Sequence, residues 1–241
     1  MIAVLRPLFR GLHGALKSRQ DRLTRSRRDH PERQVEQILA VARHGGIPGG
    51  ARLDVGGGEG RLRPLFDDGR GRVVEIDVAP TSRPDVRADV HDLPVASGAA
   101  GLVALVEVLE HLVEPHRAVA ECYRVLCPGG FMIITTPQYW HVHAHPSDYH
   151  RFTDLGLRRL CERAGFTLVD CWSRGGPALV VFHVIRLNIS DRWRPLFVLA
   201  AYRLAQWLDA RTYDPRPRGT HYDALGWSVL AQKPAGAREA A

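Results

Sequence analysis

Apolar residues along this chain alternate between short continuous runs and segments in which they recur every three or four residues. Continuous runs are typical of strands that are buried on both faces, whereas the longer period is typical of helices that bury one face. The first two runs end at Val55 and Val78, and periodic segments separate the later ones. This alternation predicts an α/β fold with a mainly parallel sheet.

The pattern also places individual elements. Helices are predicted at 32–43, 115–126 and 154–164, with Thr153 as the N-cap of the third and Gly165 at its end. Strands are predicted at the ends of the first two runs and then, in chain order, within 87–94, where an acidic turn follows the strand, and near 101–106, 131–136, 168–172 and 224–234. The Pro-Gly-Gly at 128–130 is expected to stop the second helix.

Two connections have unusual lengths. Only eleven residues, two of them proline, lie between Asp77 and Asp89, so the helix usual at that crossover is expected to be short or absent. Residues 177–218 are longer than a connection requires and are rich in Leu, Val, Phe, Tyr and Trp. They are expected to form a helical insertion that serves as a lid or a dimer surface.

A glycine cluster directly follows the first predicted strand. Gly56, Gly58 and their neighbours allow the backbone to turn tightly and to approach a ligand without Cβ clashes. Asp77 ends the second strand 21 residues beyond Gly56, a spacing typical of a mononucleotide-binding unit whose acidic residue binds a ribose. The glycines follow G-x-G-x-G and not the G-x-G-x-x-G that opens a pyrophosphate-binding helix, which favours an adenosine-type ligand over NAD.

In their order along the chain, these segments resemble the class I S-adenosylmethionine-dependent methyltransferases, in the small-molecule (type 11-like) branch. The resemblance covers about residues 35–175 and the last strand at 224–233. It implies a Rossmann-like, doubly wound, seven-stranded sheet that is mostly parallel with an antiparallel last strand. It also implies two regions: an N-terminal arm at 1–30, and a methyltransferase domain at 31–241 that carries the 177–218 insertion. Many relatives have an Asp where this chain has Gly101.

The resemblance implies S-adenosylmethionine as cofactor and seven contacts to it. Asp54, Gly56 and Gly58 would contact the methionine part of the cofactor, and Asp77 would bind the ribose. Asp89 and Val90 would flank the adenine, and Val106 would contact the donor through its backbone. The alternative role for Asp89 is to cap a turn.

Two carboxylates and an imidazole follow the fourth predicted strand. Glu107, Glu110 and His111 are spaced i, i+3 and i+4, which places them on one face of a helix. The E-x-x-E-H segment resembles that of ubiquinone-pathway and small-RNA O-methyltransferases, in which these residues hold a divalent metal ion beside the acceptor oxygen. The alternative is that the three side chains make structural or substrate contacts.

Histidines are concentrated in the loop after the fifth predicted strand, at positions 141, 143, 145 and 150. Its H-P-x-D-Y-x-R-F-T segment resembles bacterial methyltransferases of cell-surface glycan and natural-product pathways. His145, His150 and His111 are the candidates for a general base, because the histidine pKa suits proton removal near neutral pH. The alternative is that residues of this segment only fix the loop and cap the next helix, the role we expect of Arg151 and Thr153.

The net charge of +7 lies entirely in the arm. Residues 1–28 hold eight basic residues and one acidic residue, so the rest of the chain is neutral. Apolar residues of the arm recur at helical spacing opposite its basic ones. Two interpretations follow. The arm is either a helix packed on the domain or an extended tail, or it makes a peripheral membrane contact through residues 1–28. Nucleic-acid binding is disfavoured, because the domain adds no basic surplus.

The cysteine content and the N-terminal pattern indicate the location of the protein. The four cysteines form no CxxC pair and the N-terminus does not have a signal-peptide pattern, which together indicate a cytoplasmic protein, with membrane-peripheral attachment as the variant. The predicted function is S-adenosylmethionine-dependent O-methylation of a small molecule, with a glycan, lipid-linked or natural-product acceptor. The alternatives are an RNA methyltransferase and a non-catalytic cofactor-binding protein. The oligomeric state is left open.

Overall fold

The computed structural model describes residues 31–58, 60–79, 83–143, 147–188, 194–212, 214 and 223–236, with side chains of the helix at 194–212 described from residue 200 onward. The arm at 1–30, His145 and part of the 177–218 insertion therefore lie outside the described residues.

Strands and helices alternate as the apolar pattern predicts. The helices are α1 (Pro31–His44), α2 (Arg63–Phe66), α3 (Pro115–Val125), α4 (Asp154–Arg163), α5 (Pro177–Asn188) and α6 (Arg194–Thr212), with a 3-10 helix at Leu109–His111. The strands are β1 (Ala51–Val55), β2 (Val73–Asp77), β3 (Val86–Arg87), β4 (Ala100–Val106), β5 (Leu126–Pro137), β6 (Thr167–Arg174) and β7 (Gly226–Gln232).

The seven strands form one sheet in the order β3-β2-β1-β4-β5-β7-β6. Strands β1 to β5 pair in parallel, whereas β7 runs antiparallel to both β5 and β6. This is the Rossmann-like α/β sheet that the resemblance implies, including its antiparallel last strand. The chain reverses its strand order between β1 and β4, and open α/β sheets bind ligands at the carboxyl ends of the strands beside that switch point.

Each face of the sheet carries its own hydrophobic layer, because successive side chains of a strand point to opposite faces. On β4, Leu102 and Ala104 pack with residues of α1, while Val103 and Leu105 pack with residues of α3 and α4. Thr153 caps α4 by accepting a hydrogen bond from Gly156 N, and Gly165 follows its end with a φ of +99°. The N-cap prediction is confirmed.

The third strand is only two residues long and ends at Arg87, and the acidic turn predicted after it is formed by residues 89–92, which Asp89 stabilises through its own side chain. One local prediction needs correction. The Pro-Gly-Gly segment does not separate α3 from β5, since β5 already begins at Leu126 and pairs there with Ala100. The glycines instead make an irregularity within the strand, where the register shifts before Phe131.

Gly101 occupies a crowded position at the start of β4. A Cβ there would meet the carbonyl oxygen of Pro48 and, at 2.7 Å, Nη1 of Arg52. The buried guanidinium of Arg52 donates to Pro48 O and Gly50 O, and its Nη2 pairs with Asp68 at 3.0 Å. An aspartate at position 101 is therefore sterically excluded, and Asp68 supplies the local carboxylate.

The described residues of the segment at 177–218 include two helices, α5 and α6. Helices α5 and α6 pack against each other around a separate buried cluster: Leu179, Val180, Phe182, Tyr202, Ala205 and Leu225. The buried carboxylate of Asp209 on α6 accepts hydrogen bonds from Gly176 N, Ala178 N and Leu179 N, so that α6 caps the start of α5. Within the described part of the chain, no helix is long and apolar enough to cross a membrane.

Candidate functional site

The glycine turn, residues 56–60, leaves β1 with backbone that only glycine adopts easily. Gly56, Gly58 and Gly60 have φ values of +76°, +61° and +68°. Gly56 N donates to Ile76 O at 2.7 Å, which ties the turn to the end of β2. A Cβ on Gly56 would approach Val108 Cγ2 to 2.5 Å, so the position has no room for a side chain.

Asp77 ends β2 with its carboxylate fixed by the main chain. Oδ2 accepts a hydrogen bond from Gly58 N at 2.8 Å, and Oδ1 accepts one from Ala79 N at 2.7 Å. Each carboxylate oxygen keeps a second lone pair for a ligand. The predicted ribose-binding side chain is thus held rigidly against the glycine turn.

Asp54 lies beneath the same turn and is fully buried. Neither carboxylate oxygen has a hydrogen-bond partner among the described residues. Burial raises the pKa of Asp54 to about 7, with smaller contributions from the negative charges of Glu75 and Asp77. Since a buried carboxylate without partners is costly, the site fits a ligand that brings a cationic or hydrogen-bond-donating group to it.

Asp89 and Val90 lie beyond the short β3. Asp89 Oδ1 accepts hydrogen bonds from His91 N at 2.9 Å and from His91 Nδ1 at 2.6 Å, and these bonds lower the pKa of Asp89. This is the turn-capping arrangement, which leaves the second carboxylate oxygen for a ligand. Val90 is buried, and half-buried Val106 ends β4. Their cofactor contacts stay predictions.

Glu107 does not share a helical face with Glu110 and His111. It has a left-handed backbone with φ +56° and precedes the 3-10 helix. Its carboxylate accepts a hydrogen bond from Thr135 Oγ1 at 2.9 Å and a two-pronged pair from Arg174 at 2.8 and 3.1 Å. The E-x-x-E-H spacing predicted one face because it assumed a continuous α-helix, which the structure replaces with a turn.

The structure instead gathers Glu110 and His111 with a residue of the next loop, His143. One ligand atom from each of these three residues, the histidine cluster, lies within 4.8 Å of the others. Glu110 is fully buried, and neither of its carboxylate oxygens has a hydrogen-bond partner among the residues that the structure describes. Burial raises the pKa of Glu110 to about 8, with Glu107 as a second cause.

Both imidazoles of the histidine cluster are oriented through Nδ1. His111 Nδ1 lies 2.6 Å from Ser147 O, and a carbonyl only accepts, so Nδ1 carries the proton. His143 Nδ1 lies 3.2 Å from an oxygen of Asp148 and 3.3 Å from His141 O, which are also acceptors. The lone pair of the His111 ring therefore lies on Nε2, and such outer partners are typical of histidines that bind metal.

The loop after β5 is held by one ion pair. The buried carboxylate of Asp148 receives both arms of the Arg151 guanidinium and a hydrogen bond from His143 N at 2.9 Å. The Arg151 pair holds the pKa of Asp148 well below its ordinary range. Glu110 O accepts from Tyr149 N at 2.7 Å and His150 N at 3.2 Å, which fastens the loop to the 3-10 helix. Arg151 thus has the fixing role expected of it.

The three predicted general bases have different surroundings. His111 belongs to the histidine cluster, while His145 lies outside the described residues. His150 is half-buried, and its buried Nε2 has no hydrogen-bond partner within the described part of the chain. No contact of the described residues tests the general-base role itself.

Sequence reasoning missed three site residues. His143 belonged to the histidine-rich loop but was not among the residues predicted as general bases or metal ligands, and only the fold brings it beside His111. Arg174 lies 67 residues from Glu107, so no local spacing could have paired them. His183 on α5 stacks on Trp140 at 4.1 Å between ring centroids. Burial lowers the pKa of His183 to about 4, which keeps its ring neutral in this stack at neutral pH.

Comparisons with known sequences agree with this arrangement. Residues 53–134, which contain the glycine turn, Asp77 and the E-x-x-E-H segment, match the family described as "Methyltransferase domain". A "Probable S-adenosylmethionine-dependent methyltransferase" of Mycolicibacterium smegmatis (strain ATCC 700084 / mc(2)155) is 29% identical over 147 residues, which are 54% of this chain and 54% of that protein. The chain spans about half or less of the length of the curated relatives it matches.

Solved structures share the fold. A Burkholderia thailandensis 1,6-didemethyltoxoflavin-N1-methyltransferase, with its substrate and S-adenosylhomocysteine bound, aligns with a TM-score of 0.54 at 19% identity, covering 97% of this chain and 88% of that one. A putative methyltransferase in complex with the Haloferax volcanii Trm112 methyltransferase activator aligns with a TM-score of 0.56 at 19% identity, covering 97% and 99%.

Proposed function

We propose that this chain, which carries a class I S-adenosylmethionine-dependent methyltransferase domain, transfers a methyl group from S-adenosylmethionine to an oxygen of a small molecule. The observation that carries the proposal is the rigid pairing of Asp77 with the glycine turn directly above the partnerless carboxylate of Asp54. Two acidic groups around a glycine-rich turn suit a ligand that combines ribose hydroxyls with an amino group and lacks phosphates.

The residues at the glycine turn would bind and orient the methyl donor. The free lone pairs of Asp77 would accept hydrogen bonds from the ribose hydroxyls, and Asp54 would face the ammonium group of the methionine part. Gly56 and Gly58 would let this part approach the main chain, while Val106 would contact the donor through its backbone. Val90 and the open oxygen of Asp89 would flank the adenine.

The acceptor would lie beside the histidine cluster, where the 3-10 helix after β4 meets the loop after β5. Both segments follow the carboxyl ends of central strands, where open α/β sheets bind their ligands. Methyl transfer forms a bond from the acceptor oxygen to the methyl carbon, breaks the carbon–sulfur bond of the donor and releases a proton from the oxygen. A histidine with a free Nε2 suits that proton, and His111 and His150 both qualify. His145 belongs to the same proposal by its place in the loop.

The histidine cluster also fits a divalent metal ion. Glu110 offers a buried carboxylate without partners, and His111 and His143 offer Nε2 atoms on rings already fixed through Nδ1. A bound ion would lower the pKa of an acceptor hydroxyl. We propose Glu110, His111 and His143 as the ligands of this ion. Glu107, which the sequence spacing predicted as a ligand, would instead hold Arg174. His150 is then the free proton acceptor.

We further propose that the basic arm at 1–28 contacts anionic membrane surfaces. The proposal rests on the eight basic residues and the helical spacing of apolar residues in this segment. Removing residues 1–28 should weaken sedimentation with anionic liposomes and spare S-adenosylhomocysteine affinity, and identical sedimentation of both proteins would contradict the membrane role. The neutral balance of the rest of the chain disfavours RNA as substrate.

Calorimetry with the full chain tests the cofactor. We expect S-adenosylhomocysteine to bind and to raise the melting temperature, because a ligand of the native state stabilises it. NADH serves as the matched control, since it shares the adenosine but brings a pyrophosphate for which the turn has no phosphate-binding helix start. Binding of NADH without binding of S-adenosylhomocysteine would contradict the proposed function. Binding without turnover on any acceptor would favour the non-catalytic alternative.

A further inference from the structure

We propose that the outer face of the α5–α6 hairpin is a docking surface for an anionic lipid bilayer. The outer face is defined by three exposed apolar side chains on each helix: Val181, Val184 and Ile185 on α5, and Leu204, Trp207 and Leu208 on α6. Exposed apolar side chains that are grouped on one element mark interaction surfaces, whereas single ones are ordinary.

On α5 the exposed apolar residues form a stripe at helical spacing. Val181 is 58% exposed, Val184 49% and Ile185 43%, at positions i, i+3 and i+4. The other side of the helix is buried, with Phe182 in the hairpin's own core and His183 stacked on Trp140. The stripe is therefore surplus to the packing of the fold.

On α6 the same arrangement recurs. Leu204 is 57% exposed, Trp207 49% and Leu208 38%, again at i, i+3 and i+4. Tyr202 and Ala205 point into the hairpin core instead. Because both helices turn their inner sides to one shared cluster, both stripes face away from it.

The charges around these stripes select an anionic partner. Arg203 and Arg211 on α6 are exposed, and the Arg211 guanidinium lies 4.1 Å from the centroid of the Trp207 ring. Among the described residues of α5 and α6, the only acidic side chain is Asp209, which is buried and caps α5. Anionic headgroups would thus meet arginines and an interfacial tryptophan without an opposing carboxylate.

A bilayer fits this surface better than a second copy of the chain does. A symmetric dimer through the outer face would bring arginines of one copy towards those of the other, with no exposed carboxylate among the described hairpin residues to pair with them. No described helix can cross a membrane, so the contact would be shallow, with apolar side chains in the headgroup region.

The docking surface also indicates the chemical class of the methyl acceptor, and this step rests on the proposed function. His183, on the inner side of α5, stacks on Trp140 of the loop that carries His143. A hairpin docked on a bilayer would therefore hold the proposed acceptor site close to the lipid surface. The acceptor class that suits this placement is an amphiphile with a hydroxyl in its headgroup.

The test is cosedimentation of the full chain with vesicles of phosphatidylcholine containing phosphatidylglycerol, and with vesicles of phosphatidylcholine alone. The variant V184E/W207E places two carboxylates on the outer face and should lower affinity for the anionic vesicles at least about tenfold, because each charge near the surface is worth about 1 kcal/mol. The matched control is L155E/V169E, which alters comparably exposed positions on α4 and β6, at 53% and 43%. The control should bind as the unaltered chain does.

Each outcome of the sedimentation test either supports or contradicts docking of the outer face on a bilayer. Equal binding of V184E/W207E and the unaltered chain would overturn it, as would no binding of the unaltered chain to anionic vesicles. A concentration-dependent dimer that V184E/W207E abolishes would assign the outer face to a second copy instead. The thermal shift with S-adenosylhomocysteine should persist in all variants, and its absence from the unaltered chain would contradict the proposed function without bearing on vesicle binding.

Discussion

The glycine turn and the histidine cluster follow adjacent strands of one sheet, yet they are built in different ways. At the glycine turn the main chain holds the functional carboxylate, through Gly58 N and Ala79 N on Asp77. At the histidine cluster, side chains from the turn after β4 and the loop after β5 meet, and the Asp148–Arg151 pair holds that loop. Local backbone therefore fixes one site and long-range contacts fix the other, so that substitutions should affect the two independently.

Removing the Asp77 carboxylate should have the largest effect. Asp77→Ala deletes two charge-assisted hydrogen bonds to the ribose, which we expect to cost about 4 kcal/mol, or about a thousandfold in S-adenosylhomocysteine affinity. Titration calorimetry measures the loss, and most of the thermal shift should disappear. Asp77→Asn is the matched control, because it keeps the shape and one acceptor oxygen and should retain part of the affinity. Unchanged affinity in Asp77→Ala would assign the ribose site elsewhere.

Arg151→Ala should affect stability and leave cofactor affinity unchanged. The substitution leaves the buried carboxylate of Asp148 without its ion pair, which we expect to lower the free energy of unfolding by about 3 kcal/mol. Since pairing depresses the pKa of Asp148, this stabilisation is present above the unfolded-state pKa of about 4 and is lost as the pH falls.

Urea unfolding at neutral pH measures the Arg151→Ala effect. The double variant D148N/R151M removes the charge as well as its partner and should be less destabilised than Arg151→Ala. A fall in S-adenosylhomocysteine affinity that matched the fall in stability would show that the two sites are coupled.

Metal-binding measurements distinguish two ligand sets: Glu110, His111 and His143, which the structure brings together, and Glu107, Glu110 and His111, which the sequence spacing predicts. Glu110→Gln and His143→Ala should each lower the affinity for Mn²⁺ at least about tenfold in equilibrium dialysis, because each removes a proposed ligand. Glu107→Gln is the control, since the Glu107 carboxylate is engaged by Arg174 and Thr135. Equal losses in Glu107→Gln would restore the spacing-based set, and no Mn²⁺ binding by the unaltered chain would leave these residues structural or acceptor-positioning.

Proton linkage at Asp54 should give the smallest effect. The raised pKa of about 7 keeps much of Asp54 protonated below that pH, while a ligand ammonium group favours the carboxylate. S-adenosylhomocysteine affinity should therefore fall by about tenfold per pH unit below pH 7 and level off above it. Without ligand the sign is opposite, since a raised acid pKa makes this group's contribution to stability decline as the pH rises from about 4 to 7.

Calorimetry across this pH range tests the Asp54 linkage. Asp54→Asn cannot ionise and should bind with an affinity that no longer follows the Asp54 titration. The same pH slope in Asp54→Asn would place the titrating group elsewhere. The histidine cluster should not contribute to this slope if the two sites are independent.

Much of the glycine turn could be predicted from the sequence because its geometry depends on neighbours in the chain. A strand that ends at Val55, glycines at 56 and 58 and an aspartate that ends the next strand define the backbone path and the side chain that meets it. The acidic turn at Asp89 could be predicted for the same reason. Asp89 stabilises it through a contact with His91, only two residues away in the chain.

The histidine cluster could be predicted only in part. Spacing placed Glu107, Glu110 and His111 on one helix, but a left-handed residue at 107 turns that carboxylate towards Arg174. No local pattern connects positions 107 and 174, because they meet only through the pairing order of the sheet. His143 likewise reaches Glu110 only once the Asp148–Arg151 pair has shaped the loop.

The sequence by itself determined the class of fold, the order of its elements, the glycine turn and the concentration of charge in the arm, because each depends on local periodicity, backbone preference or composition. The tertiary structure decided which acidic side chains are paired: Glu107 and Asp148 pair with arginines, whereas the buried carboxylates of Asp54 and Glu110 have no hydrogen-bond partner among the described residues. It also decided that the stripes of α5 and α6 stay exposed. Burial and pairing are properties of distant segments brought together, and that proximity comes from packing seven strands into one sheet.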